Sequence, residues 1–246
     1  MPHDDATFDH LIHWVDDLEA AMARYEAAGL PTRHALTMPG FRNAAWGVDD
    51  ERYVELATVD DWDAVATSPY AGSLEILKPA IDELRGSGLL TFAVDVRDAR
   101  ATAARLRESG REVEDVEVRF EEKNAGFVEV FVRDVPAYFP FFITYDPPRA
   151  MIARMRAEHR AAQGITFDNC PDLVALLIRS AEPDADARLL ADLVGCSVND
   201  ATVALPGAEV RFEKGERAGL YGIVVRGPES SAMPAEVAGV TVIVET

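Results

Sequence analysis

FDHLIHWVDDLEAAMARYEAAG, Phe8 to Gly29, is the stretch whose reading decides the fold. Phe8 to Val15 interleaves aromatic and branched apolar residues with polar ones, as a half-buried strand does. Asp16 and Asp17 suit a helix start, because a short carboxylate accepts from the unpaired N–H groups of the first turn. Leu18, Met22 and Tyr25 then recur at helical spacing, and Gly29 supplies the stop. Three strand-like pieces follow, 31–38, 41–48 and 52–59, with Pro39-Gly40 and Asp49-Asp50 at the turns between them. The unit is strand, helix, three strands.

That unit returns. LLTFAVDVRDARATAARLRESG, Leu89 to Gly110, again places a strand before an aspartate helix start, Asp98, and a terminal glycine, at an offset of 81 residues. Strands are expected at 111–120, 126–134 and 139–145, and the period is that of an internal duplication. Between the copies, 60–88 reads as a connection with a helical stripe at Leu74, Leu77, Ile81 and Leu84. A third occurrence is weaker: DLVALLIRS as strand, PDADARLLADLVG as helix with Pro183 in its first turn, and strands at 201–205, 208–213, 219–226 and 239–245. The expected division is 6–147 (modules 6–60 and 88–147), a linking helix over 148–164, and a third module over 165–246. An odd module leaves a sheet without an intrachain partner, which predicts a homodimer.

The chain carries 43 acidic against 24 basic residues and a formal charge of −19, which argues against nucleic acid or an anionic membrane as partner. No apolar run is long enough to span a bilayer, and the acidic N-terminus does not read as a signal peptide. Cys170 and Cys196 form neither a metal spacing nor a disulfide framework, so a reducing, cytoplasmic setting is the default. There is no phosphate-binding loop, dinucleotide fingerprint or nucleophile elbow.

The module order, the DHL strand (Asp9–Leu11), the Arg42-Asn43-Ala44 turn, YVEL at Tyr53–Leu56 and PFFI at Pro140–Ile143 resemble the vicinal oxygen chelate superfamily, and within it the glyoxalase-like domain branch. The resemblance covers nearly the full length. It implies an α+β fold in which two βαβββ modules curl into a cupped mixed sheet, with a third βαβββ-like module behind. It further implies a divalent metal (Zn, Ni, Fe or Mn) on the cup floor, held by the first and last strand of each module. His10 and Glu55 match two of those ligand positions and are the expected metal ligands or catalytic pair. The offset puts Thr91 opposite His10, and laying FITY on YVEL puts Thr144 opposite Glu55; hydroxyls are poor ligands for these metals, so the set is incomplete.

Each candidate has a plainer reading beside the functional one. His10 shares a strand face with Phe8, Ile12 and Trp14 and could be a core histidine; Glu55, mid-strand among apolar residues, needs a partner, and His10 is the obvious one. His13 points the other way. His34, Arg42 and Asn43 are expected at the cup mouth as substrate-binding residues, or else belong to ordinary turns. Trp14, Trp46, Tyr138, Phe139, Phe141 and Phe142 line an aromatic cavity or fill a core. Arg149, Arg154, Arg156 and Arg160 form the one basic cluster, expected on a solvated helix face. Two functions stay open: a lyase, isomerase or dioxygenase-type enzyme acting on a small carbonyl or polar molecule around His10 and Glu55, with Trp46, Thr91 and Thr144 among its substrate contacts, or a non-catalytic binder that sequesters such a molecule without metal.

Overall fold

The computed structural model describes residues 5–164, 166–167, 170–227 and 233–245; the first four residues and position 165, where the third module was expected to begin, lie outside them. Chain order is β1 (Thr7–Trp14), α1 (Leu18–Ala27), β2 (Thr32–Met38), β3 (Phe41–Gly47), β4 (Tyr53–Val59), α2 (Trp62–Val65), α3 (Ala71–Leu84), β5 (Gly88–Asp95), α4 (Ala99–Glu108), β6 (Val113–Phe120), β7 (Ala125–Val132), β8 (Phe141–Asp146) and α5 (Arg149–Ala162). The C-terminal part continues β9 (Asp172–Ser180), α6 (Pro183–Val194), β10 (Val198–Asn199), β11 (Thr202–Val203), β12 (Glu209–Lys214), β13 (Gly219–Arg226), β14 (Glu236–Val237) and β15 (Val240–Glu245).

Local chemistry sets the first two units identically. Asp17 caps α1 by accepting from Ala20 N at 3.0 Å, and Asp98 caps α4 by accepting from Ala101 N at 3.0 Å. Both helices end on a glycine in the left-handed region, Gly29 at φ +78° and Gly110 at φ +88°. The sheet built from both units runs β2-β3-β4-β1-β5-β8-β7-β6. At its centre β1 and β5 are antiparallel, with Leu11 directly opposite Phe92. Those residues are 81 apart, so the pseudo-twofold axis of the duplication passes between them.

The second sheet runs β10-β11-β12-β9-β13-β15-β14. Here β12 is parallel to β9, β9 antiparallel to β13, and β13 parallel to β15. This is the strand order of the first sheet with one edge missing. The third βαβββ module is therefore already paired within the chain, by β13, β14 and β15 acting as a fourth copy in which, among the described residues, there is no helix and no outermost strand. The side of β9 that the homodimer expectation left open is taken within the chain by β13.

One apolar cluster joins the convex face of the first sheet (Phe8, Trp46, Val54, Phe92, Phe142) to α1, α4, α6 and the second sheet (Leu176, Ile178, Val210, Ile223). Side chains this large and this buried stabilise by about 1.5–3 kcal/mol each. A separate cluster lines the concave face: Ile12, Trp14, Phe41, Ala57, Leu74, Leu90, Phe131, Phe141 and Ile143. No helix among the described residues is long and apolar enough to cross a membrane.

Candidate active site

Strand alternation sends His10, Ile12 and Trp14 of β1, Phe41 and Asn43 of β3, and Tyr53, Glu55 and Ala57 of β4 into the concave face. Phe127 and Glu129 of β7 and Phe141, Ile143 and Tyr145 of β8 close the other half, and α3 roofs the cup with Tyr70, Ser73, Leu74 and Leu77. The cavity is about 90 Å³.

His10 is held from both sides. Its Nδ1 lies 2.7 Å from Asp9 Oδ2 and its Nε2 3.5 Å from Glu55 Oε2. Alternation alone would turn Asp9 to the convex face, but the β1–β5 register slips between Phe8 and His10, and this irregularity brings the carboxylate alongside the imidazole. Asp9 also accepts from Tyr145 Oη at 2.7 Å and lies 3.0 Å from Arg149 Nε. Arg149 is fixed in turn by Thr7 Oγ1 at 2.6 Å and the Phe8 carbonyl at 2.9 Å. Tyr53 stacks on the imidazole, ring centroids 4.6 Å apart.

These contacts make the pair charged. Burial works to raise Asp9, yet the bond from His10 and the charges of His10 and Arg149 hold it below the usual carboxylate range. Burial works to depress His10, yet Asp9, then Glu55 and Glu129, hold it above its ordinary value. The raised value favours the imidazolium form, in which Nδ1–H donates to Asp9 and Nε2–H faces Glu55 and the cavity. Glu55 accepts from Asn43 Nδ2, and Asn43 is oriented because its Oδ1 accepts from Leu36 N at 2.7 Å. Across the cup Glu129 accepts from Ser73 Oγ. Burial, with Glu55 adding to it, pushes Glu129 up to about 7, although the Ser73 bond and the His10 charge pull the other way. Burial and the nearby Asp9 charge keep Tyr53 and Tyr145 well above the ordinary phenol range, so both stay protonated.

A family model described as "Glyoxalase-like domain" matches residues 8–194. The chain belongs to that family. The glyoxalase-like domain thereby falls in the vicinal oxygen chelate superfamily, as the paired βαβββ units indicate. Over 98% of the chain the fold is similar to a hypothetical protein from Staphylococcus aureus, at 15% identity, a TM-score of 0.75 and 99% of that chain. A mutant of 4-hydroxymandelate synthase from Streptomyces coelicolor is similar over 93% of this chain and 72% of its own, at 14% identity and a TM-score of 0.54. Methylmalonyl-CoA epimerase structures cover only 56% of this chain, at TM-scores near 0.41. No curated protein sequence matches the chain.

The metal that such a fold implies does not fit the residues present. Ile12 pairs with Glu55 in the first unit, and its repeat counterpart, Ala93, pairs with Phe141 in the second. The position equivalent to Glu55 is therefore Phe141, not Thr144, and it has no donor atom. Thr91 Oγ1 donates to the Phe139 carbonyl at 2.6 Å. Among the described residues no three His, Cys, Asp or Glu side chains are grouped to hold a metal ion.

Of the residues expected from sequence, His10, Glu55 and Asn43 come together. Thr144 does not join them: it donates to the Val96 carbonyl at 2.6 Å and accepts from Ala99 N at 2.8 Å, tying β8 to the start of α4. Arg42 points off the convex face and forks onto Asp60 at 2.6 and 3.0 Å, while His34, 56% exposed in its side chain, lies 3.5 Å from Glu19. Trp46 is fully buried in the convex core, one residue out of phase with Asn43. Of the basic cluster, Arg149 is buried in the site rather than solvated, because Asp9 draws it in; Arg160 pairs with Asp50 and Arg156 lies 5.1 Å over Tyr53. His13 faces the convex side against Tyr25, and burial depresses it to about 4.

Proposed function

We propose that the protein is an acid–base enzyme that moves a proton at a carbon beside a carbonyl in a small, uncharged organic molecule. The observation that carries this is the pairing of a buried carboxyl pushed up to about 7, Glu129, with a buried histidine held above its ordinary value, His10, on facing walls of one cavity. A base poised near neutrality is efficient in both directions of proton transfer, and a fixed N–H donor stabilises the oxyanion that forms when the C–H proton leaves. In this scheme Glu129 takes the proton, His10 Nε2–H binds the developing enolate oxygen, and Glu129 returns the proton to either face or to a neighbouring atom. Glu55 and Asn43 hold His10 in line, and Asp9, itself kept ionised by His10 and Arg149, favours its charged form. The aromatic walls Trp14, Phe41, Tyr70 and Phe127 exclude water and favour an apolar substrate body.

The test is deuterium wash-in. Wild-type protein is incubated in D2O with 2-hydroxyketones, 2-oxoesters and short thioesters, and exchange at the carbon beside the carbonyl is followed by NMR. Exchange in at least one class, reduced about a hundredfold or more in Glu129→Gln and in His10→Asn, is expected. Exchange that survives both substitutions would place the chemistry elsewhere. Ligand binding without any exchange would favour sequestration over catalysis.

A further inference from the structure

A second concavity, of about 840 Å³, lies between the C-terminal end of α3 with the start of β5 on one side and β13 on the other. Three guanidinium groups line it, Arg85, Arg179 and Arg217; among the described residues Glu83 is the carboxylate in its lining, and Glu213 pairs with Arg179 from beside it. In a chain of net charge −19 this local balance is inverted. Most arginines here are tied to carboxylates, as Arg52 is to Asp49 and Asp172 and Arg211 to Glu209 and Glu245. Arg85, the left-handed cap of α3 at φ +53°, and Arg217 have no hydrogen bond, ion pair or ring contact among the described residues. Arg179 is anchored by Glu213 at 3.2 Å and stacked 3.9 Å from the Tyr221 ring. Ser87 Oγ accepts from Asp16 N at 3.0 Å, which leaves its own proton free to donate.

Like charges converging on a cleft with low-dielectric walls focus a positive potential there, and the planar fork of arginine matches phosphate oxygens two at a time. The cleft is far larger than one phosphate and its other walls are apolar: Leu84, Leu89, Leu90 and Leu220. We propose that this cleft binds the phosphate groups of an anionic organic ligand, with Arg85 and Arg217 forking the phosphate and the Arg179–Tyr221 stack meeting the organic part. Leu90 lines this cleft and the cup alike, so a ligand anchored here ends one side chain from the cavity around His10.

The test is isothermal titration of the full chain with inorganic pyrophosphate at low ionic strength, with citrate as the carboxylate control. Wild-type protein is expected to bind pyrophosphate, and to bind it at least tenfold more tightly than citrate. Binding should weaken at least tenfold in Arg85→Ala/Arg217→Ala and stay unchanged in His10→Asn. Both arginines are exposed, so the melting temperature should not move. Absence of pyrophosphate binding at millimolar concentration, or equal binding by the double variant, overturns the proposal. Tighter binding of citrate overturns the choice of phosphate in favour of a polycarboxylate. Because His10→Asn separates the two sites, failure here leaves the reading of the cup standing.

Discussion

Glu129 titrates near 7 when folded and near 4.5 when unfolded, and that difference is a stability statement as well as a catalytic one. A carboxyl whose folded value is raised contributes stability below its unfolded value, and that contribution is lost as pH rises through the folded one. Relative to Glu129→Gln, the wild type should lose about 3 kcal/mol between pH 4.5 and 7; His13 and Asp95 also titrate in this range but cancel in the difference between the two proteins, and His10 adds its own loss only above 6.5. Urea midpoints across this range that run parallel for the two proteins would mean the carboxyl is not buried as described. Asp9 gives a second prediction. His10 must be protonated to donate, so the rate should fall as pH rises through its elevated value. Asp9→Asn, which keeps the shape but removes the largest support for the imidazolium, should move that alkaline limb to lower pH. A pH–rate profile whose limb stays in place would reduce Asp9 to packing. At this scale His10 and Glu55 are legible because each interrupts an apolar strand face. Glu129 offers the same signal, a charge between Val128 and Val130 in an apolar run, but without the DHL or YVEL motif to draw attention to it. Asp9 is not legible at all, since only the slip in β1 register turns it toward its neighbour.

At the scale of elements, Thr144 shows what a hydroxyl does when it is not a ligand. It bridges the Val96 carbonyl and Ala99 N, joining β8 to the first turn of α4. Thr144→Val should therefore cost about 1–3 kcal/mol, by stranding a partly buried N–H and carbonyl. It should leave deuterium exchange in the cup unchanged. Thermal unfolding and exchange measured on the same preparation separate these effects; lost exchange with intact stability would return Thr144 to the site. The elements themselves were largely readable, because alternation, Asp17 and Asp98 caps and terminal glycines all agree within each unit. The register of the last strand was not. The loop before β4 is 48–52, whereas the loop before β8 is 133–140, so the constant offset that relates β1 to β5 breaks before the final strand and moves Phe141 into the place given to Thr144.

For the whole molecule, the architecture was hidden because, among the described residues, no helix follows β13. A repeat is recognised by its strand-helix junction, and β13 to β15 pair as a fourth unit with no such junction to announce it. That pairing gives the second sheet its own complete centre, yet the two sheets do not have separate cores. Phe8, Val54 and Phe92 of the first share a cluster with Leu176, Val210 and Ile223 of the second, and Phe139 meets Phe212 edge-on with centroids 6.1 Å apart. Polar ties cross the same seam: Phe8 N donates to the Pro206 carbonyl at 2.8 Å, and Arg52 reaches both Asp172 at 2.8 Å and the Leu173 carbonyl at 3.1 Å. A chain ending at Pro147 keeps every strand of the first sheet but strips the cover from its convex helix layer. It should lose cooperative thermal unfolding and bind 8-anilinonaphthalene-1-sulfonate strongly, because the exposed apolar area exceeds what a marginally stable fold tolerates. Weakening the same seam in the full chain with Arg52→Ala should lower stability by about 1–2 kcal/mol, since Asp172 and two carbonyls lose a partly exposed partner together. A truncated chain that melts in one sharp transition at the full-length temperature, with no dye bound, would show instead that the two sheets are independent domains merely in contact.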